Sequence, residues 1–381
     1  MNADSSRPHT DRHGWPRTPI PRSIAPTIAA VLVLASGACL PDAGAPDRPQ
    51  GGGDLEVVAA AGEWVLDPAL GDCLVSLTPG RLLRSRAVGS AHGLALIDPD
   101  HSRVLWLTSE SQCTPRVVGR AGGGPGEFTG IDDLAWVANG LAVLDGGQSR
   151  VTVFSPDGHA QRIVPVAVAQ GSPGRITGGI DGALALLPTT GDDLLRLDDG
   201  SGELGGVGTR PDVECPIQLD NDPFAPIRPR FWRGMDSLAW SADVRRWYLA
   251  EGCSGRVLAF DPVDESGLPS EVGRLPSSLN APWLEWAQGQ QVAAMQSGGM
   301  VTLGGAIEHI TARGSGPTLL LILSHRTGQI AARLESETGV LTTLPPPEWW
   351  DPALGGAFVW WNDGLVLVTY EGELWRWRSS G

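Results

Sequence analysis

The sequence predicts an all-β fold: a six-bladed β-propeller of four-stranded antiparallel blades over residues 55–381. Three observations predict it. First, one hairpin pattern recurs six times in the 381 residues. Second, similar strand sequences stand ahead of the hairpins. Third, 51 Gly and 31 Pro favour many turns over long helices.

The hairpins set the frame. Residues 94–106 read LALIDPDHSRVLW and residues 141–153 read LAVLDGGQSRVTV, aligned without a gap. Each has an apolar strand, a polar turn, an Arg and a second alternating strand, which is a β-hairpin signal. Looser copies lie at 184–194, 249–260, 320–330 and 365–374. A strand precedes the hairpin at 131–136 (IDDLAW), 179–183, 235–240 (MDSLAW) and 356–361, and a fourth strand follows at 116–118 and 161–164. Two longer intervals imply insertions near 201–232 and 270–310. A four-stranded unit repeated every 40–50 residues is a propeller blade. The sixth copy stops at Trp375–Trp377. Its fourth strand is therefore expected from the N-terminal side, within 55–66 or 80–88, which closes the ring and removes an open sheet edge.

Residues 117–158 carry a more specific signature: Gly119, the turn Gly122-Gly-Gly-Pro-Gly-Glu-Phe128, a strand ending at Asp145, then Arg150, Phe154 and Gly158. This stretch resembles the NHL repeat and the bacterial six-bladed propellers built from it. The Pro that usually follows the Phe is replaced here by Gly130-Ile131. The resemblance implies six blades and says little about activity, because such propellers serve as binding platforms and as enzymes.

Ahead of the propeller, Arg7, Arg12, Arg17 and Arg22 precede an apolar stretch from Ile24 to Ala35, too short to span a bilayer. It ends LASGAC, with Cys39 last, and resembles a bacterial lipoprotein signal. Residues 1–38 are then the signal peptide, Cys39 the lipidated residue, and 39–54 a flexible tether. The expected location is the bacterial cell envelope, with the membrane engaged through the lipid. Four cysteines remain, Cys73, Cys113, Cys215 and Cys253. They contain no CxxC spacing, so disulfides are expected before a zinc site. Cys73–Cys113 and Cys215–Cys253 are the local pairings among the three connectivities open to four cysteines.

Composition excludes several activities. All 28 basic residues are Arg. Walker-type loops, protein kinases and Schiff-base enzymes need a Lys, and none exists. A net charge of −15 argues against nucleic acid as a partner. No Gly-x-Ser-x-Gly elbow and no His-Glu-x-x-His helix occurs. Asp98, Asp145 and Glu251 each stand five residues before an Arg (Arg103, Arg150, Arg256), as a pair fixing a turn would. His92, His101, His159, His309 and His325 are scattered. Asp98-x-Asp100-x-Ser102 lacks the Gly and distal Glu of a calcium loop. Trp106, Trp136, Trp240, Trp360, Trp375 and Trp377 alternate in strands and are expected between blades. Trp349-Trp350 and the segment 228–233 fall outside that pattern.

Four carboxylates, Glu127, Asp132, Asp133 and Asp236, are expected where the chain enters each blade, on one face of the channel. They are the metal or ligand candidates, with calcium the ion they would take. No catalytic residue and no cofactor are predicted. The expected function is a binding or scaffold module whose ligand is a protein, a small molecule or a carbohydrate. The alternative is a metal-dependent hydrolase or lyase resembling propeller lactonases, which use carboxylates and Asn around the channel. Asn139 and Asn362 fall in turns expected on the opposite face. A quinone-dependent sugar dehydrogenase is a third option, for which no His base or channel cations could be placed.

Overall fold

Six sheets fan out around a central channel, each contributing its first strand to the channel wall. The computed structural model describes residues 53–67, 87–108, 114–166, 174–212, 215–217, 232–261, 268–297, 305–350 and 356–380, apart from positions 139, 190, 199, 201, 314–315, 326–327, 363 and 370–372. The inner strands are Ala87–Ser90, Ile131–Val137, Arg175–Gly178, Ser237–Ser241, Ile307–Ala312 and Gly356–Trp361. Each touches the next around the circle, and Gly356–Trp361 touches Ala87–Ser90, so the ring is closed.

The continuous apolar runs of the second strands follow from this arrangement. Gly93–Asp98 and Gly140–Asp145 are buried at every position, because both faces of a blade are covered by its neighbours. Side chains alternate between the faces. Leu94 and Leu96 join Val359, Val366 and Val368 of the sixth blade. Ala95 and Ile97 join Leu134, Leu141 and Val143 of the second. Four further clusters fill the remaining interfaces in the same way. No blade could bury both faces alone.

The N-terminal segment closes the ring. Gly62–Leu66 pairs antiparallel with Leu374–Ser379 and supplies the fourth strand of the sixth blade, within the first of the two expected windows. Trp64 packs on Phe358 and Trp377, with ring centroids at 5.7 and 5.4 Å, and its indole N–H donates to the Pro345 carbonyl at 2.9 Å. Of the second window, Ala87 and Val88 belong to the inner strand of the first blade, and residues 80–86 lie outside the described residues. An unexpected strand, Glu56–Ala59, adds in parallel to Val340–Leu344 and makes the fifth blade five-stranded.

Two other expectations shift. In the third blade the inner strand is Arg175–Gly178, and Ile180–Gly182 is a 3₁₀ turn rather than a strand. Asp181 and Gly182 have positive φ there, which ends extended structure. The interval 270–310 holds the fourth strand Ser270–Arg274 and then a 20-residue helix, Ser277–Gln296. Its Trp283 and Ala287 extend the core between the fourth and fifth blades. Among the described residues no helix is long and apolar enough to cross a membrane.

Cys215 and Cys253 form a disulfide, with Cα atoms 5.2 Å apart. Cys253 lies in a turn of the fourth blade and is fully buried. Cys39, Cys73 and Cys113 fall outside the described residues, as do the signal and all but the last residues of the tether.

Candidate functional site

The channel holds a cavity of about 630 Å³ lined by residues from all six inner strands. The lining comes from the middle and trailing ends of those strands and from the turns that follow them, Ala91, Ala242 and Asn362 among them. A size of this order suits a small organic ligand.

Aromatic residues shape the cavity. Trp136, Trp240 and Trp360 occupy the next-to-last positions of the second, fourth and sixth inner strands and all line the space. Between them the first and third blades place glycine. A Cβ on Gly89 would stand 1.9 Å from the Trp360 carbonyl oxygen, and one on Gly178 would stand 2.5 Å from that of Trp136. Only glycine allows so close a backbone approach. Each indole is also held from behind. Trp136 donates to the Val88 carbonyl at 3.2 Å and meets Trp106 edge-on at 5.1 Å. Trp240 packs on Trp247 at 4.7 Å. The Arg313 guanidinium lies over Trp360, 5.7 Å from the ring centre, a cation–π contact.

Arg313 and His309 are the two ionisable side chains among the described lining residues. The His309 ring nitrogen Nδ1 lies 3.2 Å from the Ser237 hydroxyl, which accepts the Ile310 N–H at 3.0 Å. This ties the fourth blade to the fifth. Between His309 and the indoles the strands carry Leu134, Ile176, Leu238 and Ile310, which are buried in the clusters between blades and border the cavity only marginally.

The four carboxylates chosen from sequence lie elsewhere, at or before the leading ends of the inner strands, and each has its own task. Glu127 takes the Gly124 N–H at 2.8 Å and pairs with Arg120 at 2.7 Å. These contacts, the backbone one first, pull its pKa below the usual value. Asp132 packs against Gly146, where a Cβ would collide with its carboxylate. Asp133 is buried and accepts the Ile176 N–H at 2.9 Å, joining the second blade to the third. Asp236 is fully buried, pairs with the buried Arg210 and takes the Gly252 N–H at 3.0 Å. Burial lifts its pKa from 3.8 to about 6, against the pull of Arg210.

A calcium ion takes six to eight oxygen ligands. No carboxylate appears among the described residues lining the cavity, and no group of three or more His, Cys, Asp or Glu comes together among the described residues. The residues described do not fit a calcium site.

The turn motifs are architectural. Asp98 pairs with Arg103 at 2.7 Å and with His101 at 2.9 Å, and Glu251 pairs with Arg256 at 2.6 Å. The expected third pair does not form this way. Asp145 accepts the N–H groups of Thr129 and Gly130, at 2.9 and 3.0 Å. Arg150 donates instead to the carbonyls of Gly124 and Glu127, at 2.6 and 2.7 Å. Those carbonyls also accept the Glu127 N–H and the Gln148 side-chain amide, at 3.1 and 3.2 Å, so Arg150 adds to the bonding that clasps the Gly122–Phe128 turn rather than to its own hairpin. Trp349 packs on Trp375 at 4.1 Å and Trp350 on Phe358 at 5.4 Å, so this pair belongs to the packing of the sixth blade. Asn362 lines the cavity, at the opposite end of the inner strands from the four carboxylates; Asn139 lies outside the described residues.

Sequence reasoning placed Trp136, Trp240 and Trp360 between blades, where they do pack, and missed that they also border the cavity. The signal was present: two of them end near-identical strands, IDDLAW and MDSLAW.

No family model matches the chain, and no curated protein matches it. Among solved structures it is similar to a gluconolactonase from Xanthomonas campestris, at 16% identity over 84% of this chain and 99% of that one, with a TM-score of 0.46. Regucalcin, a calcium-binding protein from Agrobacterium tumefaciens, aligns at 11% identity over 85% of this chain and 95% of its own, with a TM-score of 0.45. A Bacteroides fragilis protein designated as exported aligns at 10% identity over 88% and 98%, with a TM-score of 0.47. At these values no activity or ligand is carried over.

Proposed function

We propose that this protein is a non-enzymatic binding propeller, anchored in the cell envelope by a lipid on Cys39, that takes a small ligand into its central channel. One observation carries the reading: a cavity of about 630 Å³ walled by all six inner strands, with three indoles and no carboxylate among its described lining residues. Rigid strands hold its walls in place without a ligand, as a recognition site requires. The Cys215–Cys253 disulfide supports export, because disulfides persist in oxidising compartments. The lactonase-like alternative needs carboxylates around a metal, and the described channel residues do not supply them.

The test is an activity screen against lactones and esters with calcium and with EDTA. No turnover is expected in either condition. Calcium-dependent hydrolysis above background would overturn the binding reading. The anchor is tested separately: Cys39→Ala should abolish incorporation of labelled fatty acid, and labelling that persists would refute it.

A further inference from the structure

The face at the leading ends of the inner strands carries the exposed tryptophans. The turns that line the cavity, Ala91 and Ala242 among them, follow the trailing ends. The connections that feed the leading ends are built differently. One, between Ser270–Arg274 and Ile307–Ala312, holds the helix Ser277–Gln296. Another, between Val340–Leu344 and Gly356–Trp361, holds Trp349. Trp286 on the helix is 41% exposed and Trp349 is 49% exposed, and no other tryptophan among the described residues is exposed as far. Resting on the lipid-anchor reading, we propose that this leading face lies against the membrane surface to which Cys39 ties the chain. Trp286 and Trp349 then sit at headgroup level, and the cavity mouth is turned away from the membrane.

The place where the chain enters the propeller points to lipid. Asp54 lines a second cavity, of about 660 Å³, together with Ser277, Asn280, Ala281 and Leu284 of the helix. Leu55 is buried and its N–H donates to the Arg274 carbonyl at 2.8 Å, so the entry point is fixed beside the helix. Cys39 stands 14 residues before Gly53. A coil of that length spans about 20 Å on average. An anchor at Cys39 therefore keeps the face near the bilayer, where effective concentration populates even a weak contact.

The surface chemistry agrees. The helix has one charged side chain, Glu285, in its 20 residues. Trp283 and Ala287 fix it to the core, while Trp286 and Val292 remain exposed. Trp349 is held on one side by Trp375, with ring centroids at 4.1 Å. An indole has an apolar body and one N–H donor, which suits the boundary between acyl chains and headgroups. Charge selects the lipid. Glu285 and Glu348 stand next to the two indoles and the chain carries −15, so a zwitterionic surface fits and an anionic one would repel.

The experiment takes the full chain, expressed in bacteria and reconstituted from detergent into phosphatidylcholine vesicles. The acyl chains are brominated near the headgroup, brominated near the chain ends, or unbrominated. Flotation with the vesicles reports the anchor, and bromine quenching of tryptophan emission reports the face. Wild type should float and lose about a tenth of its emission to bromine near the headgroup, as two indoles in reach out of the 14 after Cys39 imply. Bromine near the chain ends should quench less. The double variant Trp286→Phe with Trp349→Phe should float equally and lose most of the quenching. Wild type that floats without quenching, quenching stronger near the chain ends, or quenching unchanged in the double variant would each overturn the resting face and leave the anchor standing. A chain that fails to float would overturn the anchor and this inference with it.

Discussion

The two ends of the inner strands use polar residues differently. At the leading ends Asp133 and Asp236 are buried and bonded to backbone N–H groups or to Arg210. They hold blade to blade and strand to turn. At the trailing ends the polar groups, Arg313 and Asn362 among them, face a cavity. Carboxylates near a channel are thus a poor guide to its chemistry: what matters is whether their oxygens already have partners. The leading ends are framework, and the trailing ends border a cavity.

That contrast can be broken by substitution. The largest effect is expected at the Asp236–Arg210 pair. Removing one partner of a buried ion pair strands the other, at about 3–5 kcal/mol. Asp236→Ala should lower stability by that much in urea unfolding, while Ala91→Ser, at an exposed turn residue lining the cavity at the other end, should cost less than about 1 kcal/mol. Equal costs at the two sites would erase the distinction. Close behind comes the Cys215–Cys253 bond, whose ends are 38 positions apart in the chain. Chain-entropy reasoning gives about 4 kcal/mol for such a loop, so Cys215→Ser with Cys253→Ser should drop the melting temperature markedly.

Proton linkage sharpens the same comparison. Burial holds the Asp236 pKa at about 6 against an ordinary 3.8. Between these values the folded chain keeps a proton that the unfolded chain has released. The contribution to stability is therefore greatest at low pH and falls as pH rises through about 6, by about 3 kcal/mol at the limit. Asp236→Asn cannot titrate, so the stability of wild type relative to this variant should decline between pH 4 and pH 7. A flat or rising difference would show that Arg210 outweighs burial. A smaller effect is expected where blades meet behind the collar. Gly89→Ala should cost about 1–3 kcal/mol, because its Cβ meets the Trp360 carbonyl and something must shift. Least of all, Arg120→Gln should leave the melting temperature unchanged, since Arg120 is 78% exposed and its pair with Glu127 sits in solvent.

The blades were legible in the sequence because burial on both faces writes itself as runs such as LALID and LAVLD, and because Asp–x₄–Arg turns recur beside them. Closure by Gly62–Leu66 was legible because the sixth repeat stops one strand short. The added strand Glu56–Ala59 was not: its burial pattern is exposed throughout, so no periodicity marks it. The site was hidden for a different reason. Whether an indole packed between blades also borders the channel depends on register around the closed ring. That register is set by contacts such as Gly89 against Trp360, far apart in sequence. The carboxylates drew attention because their type suggests ligation, and only their hydrogen-bond partners reveal the structural role.

The most direct measurement is calorimetric titration of an aromatic probe, 2-naphthalenemethanol, in EDTA, into wild type and Ala91→Trp side by side, Ala91 being an exposed turn residue that lines the cavity. Saturable binding to wild type that is indifferent to EDTA and absent from Ala91→Trp is the predicted result. Binding that requires calcium, or that persists in the blocked variant, would contradict a ligand site at the trailing end of the channel.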